Sequence, residues 1–298
     1  MSRSPQIDCV VDIKARTGEG AFWDQERQCL WWVDIPAGMI YAFDPSDGSN
    51  TCYGLDEPVG CLAPTIKGDL LLATKSGFWR FDPETGQKIA VHDPEADQPS
   101  NRFNDGATDP KGRFWAGTMK DDGTPPTAVG AFYRLDTDLT STKWVGGIFT
   151  TNGLAFSPDG KTLYCSDSNP SVQTVWAADY DCDSGQPGDR RVFFDARAVD
   201  GRPDGGTVDA DGCYWMAGVS GWQLVRVTPR GDIDRIIELP VERPSKPMFG
   251  GKDLDVLFVT SIGTGLTAGT EARQPHAGGL LAVTGLGVAG VRQMPFAG

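Results

Sequence analysis

Residues 102–118 read Arg-Phe-Asn-Asp-Gly-Ala-Thr-Asp-Pro-Lys-Gly-Arg-Phe-Trp-Ala-Gly-Thr, and this stretch indicates how the chain folds. Its centre, Asp109–Gly112, has the composition of a tight turn, because proline presets φ and glycine accepts a positive φ. The residues after the turn, Arg113–Thr118, are aromatic and then small, which favours a packed β-strand. A polar cluster, Arg102–Gly106, precedes the turn. The stretch therefore predicts a polar segment, a turn and a buried strand in that order.

The same pattern occurs six times along the chain. Each time a turn signal precedes a strand of five residues, and these strands end at Asp34, Thr74, Thr118, Asp167, Gly218 and Ser261. Successive ends are 40 to 51 residues apart, and a second apolar run follows every strand. A period of about 40 to 50 residues with several strands per unit is typical of a β-propeller, whereas a β-sandwich would not explain the regular spacing. We predict an all-β, six-bladed β-propeller that forms a single domain over residues 1–298.

A predicted ring of this kind must also be closed. The first blade begins near Thr17, which leaves Ile7–Ile13 as a spare strand that would complete the last blade, with a further partner near Val291–Phe296. Closure by an N-terminal strand would remove an exposed sheet edge. Two insertions, Lys120–Val129 and Asp179–Arg190, are rich in Gly, Pro and Asp and are predicted to be loops.

Composition argues against several classes of function. The chain has 40 acidic and 27 basic residues, a net charge of −13 and no basic run, so nucleic acid is not an expected partner. No apolar segment approaches the roughly 18 residues of a membrane helix, and Met1–Gln6 has no secretory h-region. The seven cysteines are odd in number and form no Cys-x-x-Cys, which favours reduced thiols. A cytoplasmic protein, monomeric or weakly homo-oligomeric, is expected.

Polar residues stand at the start of the predicted inner strand in several blades, where a buried strand would normally be apolar. In a propeller these positions meet at one mouth of the central channel. The residues expected to converge there are Glu19, Asn104, Asn152 and Asp204. Two carboxylates in a narrow channel repel each other unless a cation or a proton joins them. With amide oxygens beside them they favour Ca²⁺, Mg²⁺ or Mn²⁺, while Zn²⁺ and Fe²⁺ stay open.

Covalent catalysis by a serine–histidine pair is not favoured. The only histidines are His92 and His276, and both are predicted to lie in surface loops. The chain has no Gly-x-Ser-x-Gly elbow, and Ser220 has no plausible histidine partner. No glycine-rich phosphate loop precedes a helix, since no helix is predicted. A mechanism without histidine is therefore expected.

Across essentially its whole length the chain resembles the family of senescence marker protein 30 (regucalcin), gluconolactonase and related sugar lactonases. The motifs that carry this resemblance are Gly18–Gly20, Asn101–Gly106, Trp115–Met119, Thr151–Gly160, Arg202–Gly205 and Pro247–Gly251. The resemblance implies a six-bladed propeller with one divalent cation in its channel. That cation would be held by Glu19, Asn152 and Asp204, and Asp204 would also act as the acid/base.

The resemblance also implies how the substrate is bound. Arg102 and Asn104 would contact it, together with an acidic residue shortly after Gly117–Met119. Asp122 is the aligned choice, and its neighbour Asp121 is the alternative. Some relatives carry the longer glutamate at this position, so the shorter side chain leaves the identity of the substrate open.

The expected function is a metal-dependent sugar lactonase. It would hydrolyse an aldonolactone, of the glucono-, xylono-, arabinono- or galactonolactone type, to the aldonic acid by metal-activated water. The cofactor would be one divalent cation among Ca²⁺, Zn²⁺, Mn²⁺, Mg²⁺ and Fe²⁺. Two alternatives are a calcium-dependent organophosphate or promiscuous esterase and a non-catalytic calcium-binding scaffold propeller.

Overall fold

Six four-stranded antiparallel sheets form the structure, a computed structural model that describes residues 5–298. The strands in chain order are β1 (Gln6–Val11), β2 (Gly18–Asp24), β3 (Cys29–Asp34), β4 (Met39–Phe43), β5 (Asn50–Gly54), β6 (Val59–Pro64), β7 (Leu70–Thr74), β8 (Gly77–Phe81), β9 (Lys88–His92), β10 (Asn101–Thr108), β11 (Phe114–Lys120), β12 (Gly130–Leu135), β13 (Ser141–Ile148), β14 (Thr151–Phe156), β15 (Thr162–Asp167), β16 (Thr174–Asp181), β17 (Gln186–Asp195), β18 (Arg202–Val208), β19 (Tyr214–Val219), β20 (Gln223–Val227), β21 (Ile233–Glu238), β22 (Pro244–Gly250), β23 (Val256–Ser261) and β24 (Leu280–Thr284). The helical segments within residues 5–298 are three 3₁₀ turns, Ile35–Ala37, Ala196–Ala198 and Glu271–Arg273.

Each sheet is one blade of a propeller, and the first five blades use four consecutive strands beginning with β2, β6, β10, β14 and β18. These inner strands and β22 each contact the next one around the ring, and β22 returns to β2. The predicted six-bladed propeller is confirmed. No helix in the described range 5–298 has the length and hydrophobicity needed to cross a bilayer.

The turn at Asp109–Gly112 joins β10 to β11 as the sequence predicts. The Asp109 carboxylate is fully buried and accepts hydrogen bonds from the backbone N–H groups of Lys111 (2.8 Å) and Arg113 (2.9 Å). The guanidinium of Arg113 adds a third bond at 2.7 Å. Asp209 caps the corresponding turn in blade five, where it accepts from the N–H of Cys213 at 3.0 Å. Repetition of this aspartate cap explains why the turn signal recurs along the sequence.

Aromatic side chains pack between neighbouring blades and form much of the core. At least one aromatic pair joins every two adjacent blades, and in six such pairs the ring centroids are 4.5 to 6.3 Å apart, which is the range of favourable aromatic contacts. These pairs are Trp23–Phe258, Tyr53–Phe81, Phe78–Phe103, Trp115–Phe156, Tyr164–Tyr214 and Trp215–Phe249.

The N-terminal strand closes the ring. β1 pairs antiparallel with β24, and the sixth sheet has the order β1-β24-β23-β22. The expected strand partner at Val291–Phe296 is wrong, because β1 already occupies the edge of that sheet. The C-terminal segment instead crosses to other blades, where Phe296 forms a bridge with Thr65 and the N–H of Ala297 bonds the carbonyl of Gly112.

One of the two predicted loops is wrong. Residues 121–129 do connect β11 to β12 without regular structure, but Asp179–Arg190 is mostly a hairpin formed by β16 and β17. Only Cys182–Gly185 forms its turn, which is closed by the Asp181 carboxylate and by a positive φ of 70° at Gly185. The turn takes only Asp183 and Gly185, the other Gly and Asp residues lie in the strands, and Pro187 is tolerated because β17 is an edge strand.

Candidate metal and catalytic site

All six inner strands have a β-bulge near their first residues, at one mouth of the channel. The irregularities lie between Glu19 and Phe22, Val59 and Cys61, Phe103 and Gly106, Asn152 and Ala155, Pro203 and Gly206, and Pro244 and Pro247. A bulge places an extra residue in one strand and re-aims the side chains beside it. Polar residues can therefore face the channel at positions where a regular strand would bury apolar side chains.

A cavity of about 290 Å³ opens at this mouth. Its wall includes five of the six residues that the sequence selects, which are Glu19, Arg102, Asn104, Asn152 and Asp204. They come from blades one, three, four and five, so the ring brings together side chains that are distant in sequence.

A chain of side-chain hydrogen bonds orients the two amides of the site. Nη1 of Arg102 donates to Oδ1 of Asn104 at 2.7 Å, and Nδ2 of Asn104 donates to Oδ1 of Asn152 at 3.0 Å. Nδ2 of Asn152 then donates to Oγ of Ser168 at 2.6 Å. Because a carbonyl oxygen has two lone pairs, Oδ1 of Asn152 keeps one lone pair for a ligand.

The backbone that leads into two of these strands is held by buried aspartates. The Asp34 carboxylate accepts from the N–H groups of Arg16 (2.8 Å) and Thr17 (2.9 Å), just before Glu19. Asp167 does the same in blade four for the N–H of Thr150 at 3.1 Å, close to Asn152. Both aspartates are the last residues of second strands, so sequence reasoning treated them only as strand ends.

The cavity disfavours the charged forms of its two carboxyl groups. Burial raises the pKa of Glu19 well above its ordinary value, and the charges of Asp204 and Asp105 add to the increase. Burial and the charge of Asp105 raise the pKa of Asp204 to about 7, against the opposing influence of nearby cationic side chains. No group within residues 5–298 donates a hydrogen bond to the Asp204 carboxylate, which is buried at the cavity wall.

This donor set fits a hard divalent cation. Two buried carboxylates and one amide oxygen converge without a histidine or cysteine among them, which suits Ca²⁺, Mg²⁺ or Mn²⁺. An adjacent cation would also stabilise the charged forms of Glu19 and Asp204, which burial and neighbouring carboxylates disfavour.

Asp122 is the one predicted site residue that lies outside the cavity wall. Its exposed carboxylate accepts from the N–H (3.0 Å) and the hydroxyl (2.6 Å) of Thr124, within the loop after β11. Asp121 instead accepts a hydrogen bond of 2.8 Å from Nε of Arg102. A substrate contact of Asp122 therefore stays a prediction, while the structure links Asp121 to the site.

Neither histidine contributes to the wall of this cavity. His276 lies in a loop and faces Asp12 at 3.4 Å. His92 was expected in a loop but is the last residue of the outer strand β9. The seven cysteines are all free thiols.

Sequence reasoning assigned no role to several residues around the cavity. These residues are Asp105, Ser168, Arg202, Arg243 and Lys246. Lys246 carried a usable signal, because a lysine at the start of a buried inner strand needs a charged partner. The partner is Asp105, whose carboxylate lies 2.7 Å from the ammonium.

The ring and the oxygen-lined channel mouth define a six-bladed β-propeller with one acidic site at an end of its central channel. Residues 17–263 match the SMP-30/Gluconolactonase/LRE-like region, and the chain belongs to this family. The family resemblance predicted from the sequence is confirmed.

Relatives of this family match the chain over nearly its full length. It is 36% identical to 6-deoxy-6-sulfogluconolactonase from Pseudomonas putida, with 98% of this chain and 99% of the relative covered. It is 34% identical to regucalcin from Xenopus laevis, with 99% of each covered. The crystal structure of the calcium-binding protein regucalcin from Agrobacterium tumefaciens is similar with a TM-score of 0.90 at 28% identity, covering 97% of this chain and 96% of that one.

Proposed function

We propose that this protein is a metal-dependent sugar lactonase that hydrolyses an aldonolactone of the glucono-, xylono-, arabinono- or galactonolactone type to the aldonic acid. The observation that carries the proposal is the convergence of two buried carboxylates, two amides and Arg102 on one cavity. Relatives with lactonase names support it. A cavity of about 290 Å³ is near the lower end of the range for small-molecule sites, which suits a sugar-sized ligand.

Glu19, Asn152 and Asp204 would hold one divalent cation in this mechanism. Such a cation, when bound, polarises a carbonyl oxygen and lowers the pKa of a coordinated water. The regucalcin relative described as calcium-binding supports a divalent cation, and the oxygen-only donor set favours Ca²⁺, Mg²⁺ or Mn²⁺.

Arg102 and Asn104 would position the sugar. Arg102 uses Nε for Asp121 and Nη1 for Asn104, so the Nη2 donors are left for oxygens of the substrate. Both N–H groups of Asn104 are already donated, to the carbonyl of Thr151 (2.8 Å) and to Asn152, so it can offer only the remaining lone pair of Oδ1 to a sugar hydroxyl. Asn104 would therefore act largely by orienting its neighbours.

Asp204 would move the proton. Water attacks the lactone carbonyl carbon, and Asp204 accepts the proton that the water loses. The carbon–oxygen bond of the ring then breaks, and Asp204 returns the proton to the leaving alkoxide. Asp204 can do this through a carboxylate oxygen that the cation does not hold.

A panel assay tests this proposal. Proton release from sugar lactones, a simple aryl ester and an organophosphate would be followed for the metal-free protein, for protein with each of the five cations, and after chelation. We expect lactone hydrolysis that chelator abolishes and a cation restores, with Glu26→Gln, an exposed acid remote from the cavity, as the unaffected control. Lactone rates no higher than the spontaneous reaction with every cation would refute the proposal. Turnover of the organophosphate faster than that of the lactones would indicate the esterase alternative. Cation binding without any hydrolysis would indicate the scaffold alternative.

A further inference from the structure

Two arginines at the cavity form no ion pair with an acidic side chain in residues 5–298. Arg202, the first residue of β18, and Arg243, just before β22, both line the cavity that contains Asp204. Nη1 of Arg243 donates only to backbone carbonyls, those of Thr264 (2.7 Å) and Gly265 (3.0 Å), and its buried Nε has no hydrogen-bond partner in residues 5–298. Arg202 forms no side-chain hydrogen bond or salt bridge within that range.

A pair of arginines without ion-pair partners within residues 5–298 is unusual in so acidic a protein. The net charge is −13, and the third arginine of the cavity, Arg102, is paired with Asp121 at 2.8 Å. Arg202 and Arg243 are also close enough that the charge of Arg202 adds to burial in lowering the pKa of Arg243. Two neighbouring guanidinium groups that are not hydrogen-bonded to a carboxylate are suited to a multi-oxygen anion, because their fixed donors match its geometry.

The charge balance of the site points the same way. Glu19 and Asp204 would offset a bound divalent cation, and the Asp105–Lys246 and Arg102–Asp121 pairs are each neutral. The charge of Arg202 is then left over, and that of Arg243 is offset only in part by Glu242, whose carboxylate is bonded to Thr267 and Gln274. A neutral lactone ring does not need these arginine charges, so they indicate a second, negatively charged group on the ligand.

The ring order gives this group a position. Arg202 and Arg243 belong to blades five and six, whereas Arg102 belongs to blade three on the other side of the channel. Asp204 lies on the same side as the pair, since the charges of both arginines lower its pKa, so an anionic group of a sugar that reacts at Asp204 could reach them.

We propose that Arg202 and Arg243 form an anion subsite, and that the preferred substrate is an aldonolactone with a sulfonate, phosphate or carboxylate in addition to its reacting carbonyl group. This inference rests on the proposed lactonase function and specifies its substrate class. The shared chemistry of the three groups is a compact anion with several acceptor oxygens.

The test compares matched substrates that differ only at carbon 6. Glucono-1,5-lactone is the neutral reference, and its 6-phosphate, its 6-deoxy-6-sulfonate and the lactone of the 6-carboxylate are the three anionic arms. We expect kcat/KM at least tenfold higher for one or more anionic arms, mainly through KM, with a preference that declines as salt screens the charges. The arm with the highest value identifies the natural group.

Variants then assign the preference to the arginines. Arg202→Met and Arg243→Met should each reduce the anionic-to-neutral ratio of kcat/KM by about tenfold, equivalent to about 1.4 kcal/mol, and the lysine variants should retain part of it. Arg230→Met is the matched control, since that side chain is 87% exposed on another surface. Equal losses for neutral and anionic substrates would overturn the subsite and make the pair positioning residues for Asp204. A preference for the neutral lactone in the unmodified protein would overturn it as well.

A binding experiment separates this inference from the lactonase function. Inorganic phosphate and sulfate would be titrated calorimetrically into the metal-loaded protein and into both methionine variants. Binding that is lost in the variants supports the subsite even if no lactone is hydrolysed. Hydrolysis of lactones without anion binding or anionic preference would leave the lactonase intact and refute the subsite.

Discussion

The ammonium of Lys246 lies 2.7 Å from the Asp105 carboxylate and joins opposite blades of the ring across the central channel. Both side chains are at most 1% exposed. The other carboxylate oxygen of Asp105 accepts from the N–H of Leu154 at 2.9 Å, so a third blade is tied to the pair. The pair lies beside Glu19 and Asp204 and therefore affects the pKa of both groups. The charge of Lys246 lowers each pKa, and the charge of Asp105 raises it.

Lys246→Met should destabilise the metal-free protein by about 3–5 kcal/mol, because it leaves the charge of Asp105 buried without a partner. Adding Asp105→Asn to this variant should recover part of the loss, since both charges are then gone. Urea unfolding in the presence of chelator measures both, with the exposed Lys161→Met as the control. Strictly additive losses in the double variant would show that the two residues do not act as a pair.

Glu19→Gln should weaken cation binding while leaving the fold intact. In the metal-free protein the change removes a buried group whose charged form is disfavoured, so the unfolding temperature should stay the same or rise. The increase of that temperature on adding Ca²⁺ or Mn²⁺ should become smaller, and calorimetry should give a higher Kd. Unchanged cation affinity would remove Glu19 from the site.

Asp204→Asn keeps size and one oxygen ligand but removes the charge and the basic oxygen. We expect kcat for the best lactone to fall about 10²- to 10⁴-fold, the usual contribution of a general base, with a smaller change in KM. Rates measured at saturating cation separate the two proposed roles. Full recovery there would mean that Asp204 is only a ligand and that another group moves the proton.

Protons should compete with the cation. The pKa of Asp204 is raised from 3.8 to about 7 in the folded metal-free protein, so the folded state keeps a proton that the unfolded chain has released. The free energy of unfolding without metal should therefore fall as pH rises from about 4 to 7 and then level off. Apparent cation affinity should rise over the same interval, because the proton must leave first.

Denaturation and calorimetric titration at pH 5, 6, 7 and 8 check both trends. Asp204→Asn provides the control, since an amide does not titrate in this range. A metal-free stability that rises between pH 5 and 7 in the unmodified protein, relative to this variant, would contradict the raised pKa.

Removal of residues 1–14 should destabilise the ring without deleting a residue of the cavity wall. β1 pairs with β24, and the buried Val11 alone is expected to contribute about 1.5–3 kcal/mol. The loss would also expose the edge of β24 and promote aggregation. Thermal unfolding of the full and shortened chains measures the effect, and equal melting temperatures would show that ring closure does not depend on β1.

Local chemistry carried most of the fold prediction. The six predicted strand cores all lie inside observed second strands, from Leu30–Asp34 in β3 to Leu257–Ser261 in β23. The turn at Asp109–Gly112 forms through hydrogen bonds between residues four positions apart or fewer. Such patterns can be recognised in the sequence because the interacting groups are neighbours. The hairpin within Asp179–Arg190 was missed because its many Gly, Pro and Asp residues resemble those of a longer loop.

The repeat itself also determined part of the candidate site. Glu19, Asn104, Asn152 and Asp204 occupy similar positions in their blades, so a closed ring must bring them to one mouth of the channel. What only the tertiary structure decided is which charges are paired. Asp105 meets Lys246 across 141 residues of chain, and Asp121 rather than Asp122 bonds Arg102. Arg202 and Arg243 lie near Asp204 but form no ion pair within residues 5–298. These pairings depend on the bulges, on the paths of the loops and on the distances between blades. An ion pair in the channel forms only where the folded chain brings two opposite charges into contact.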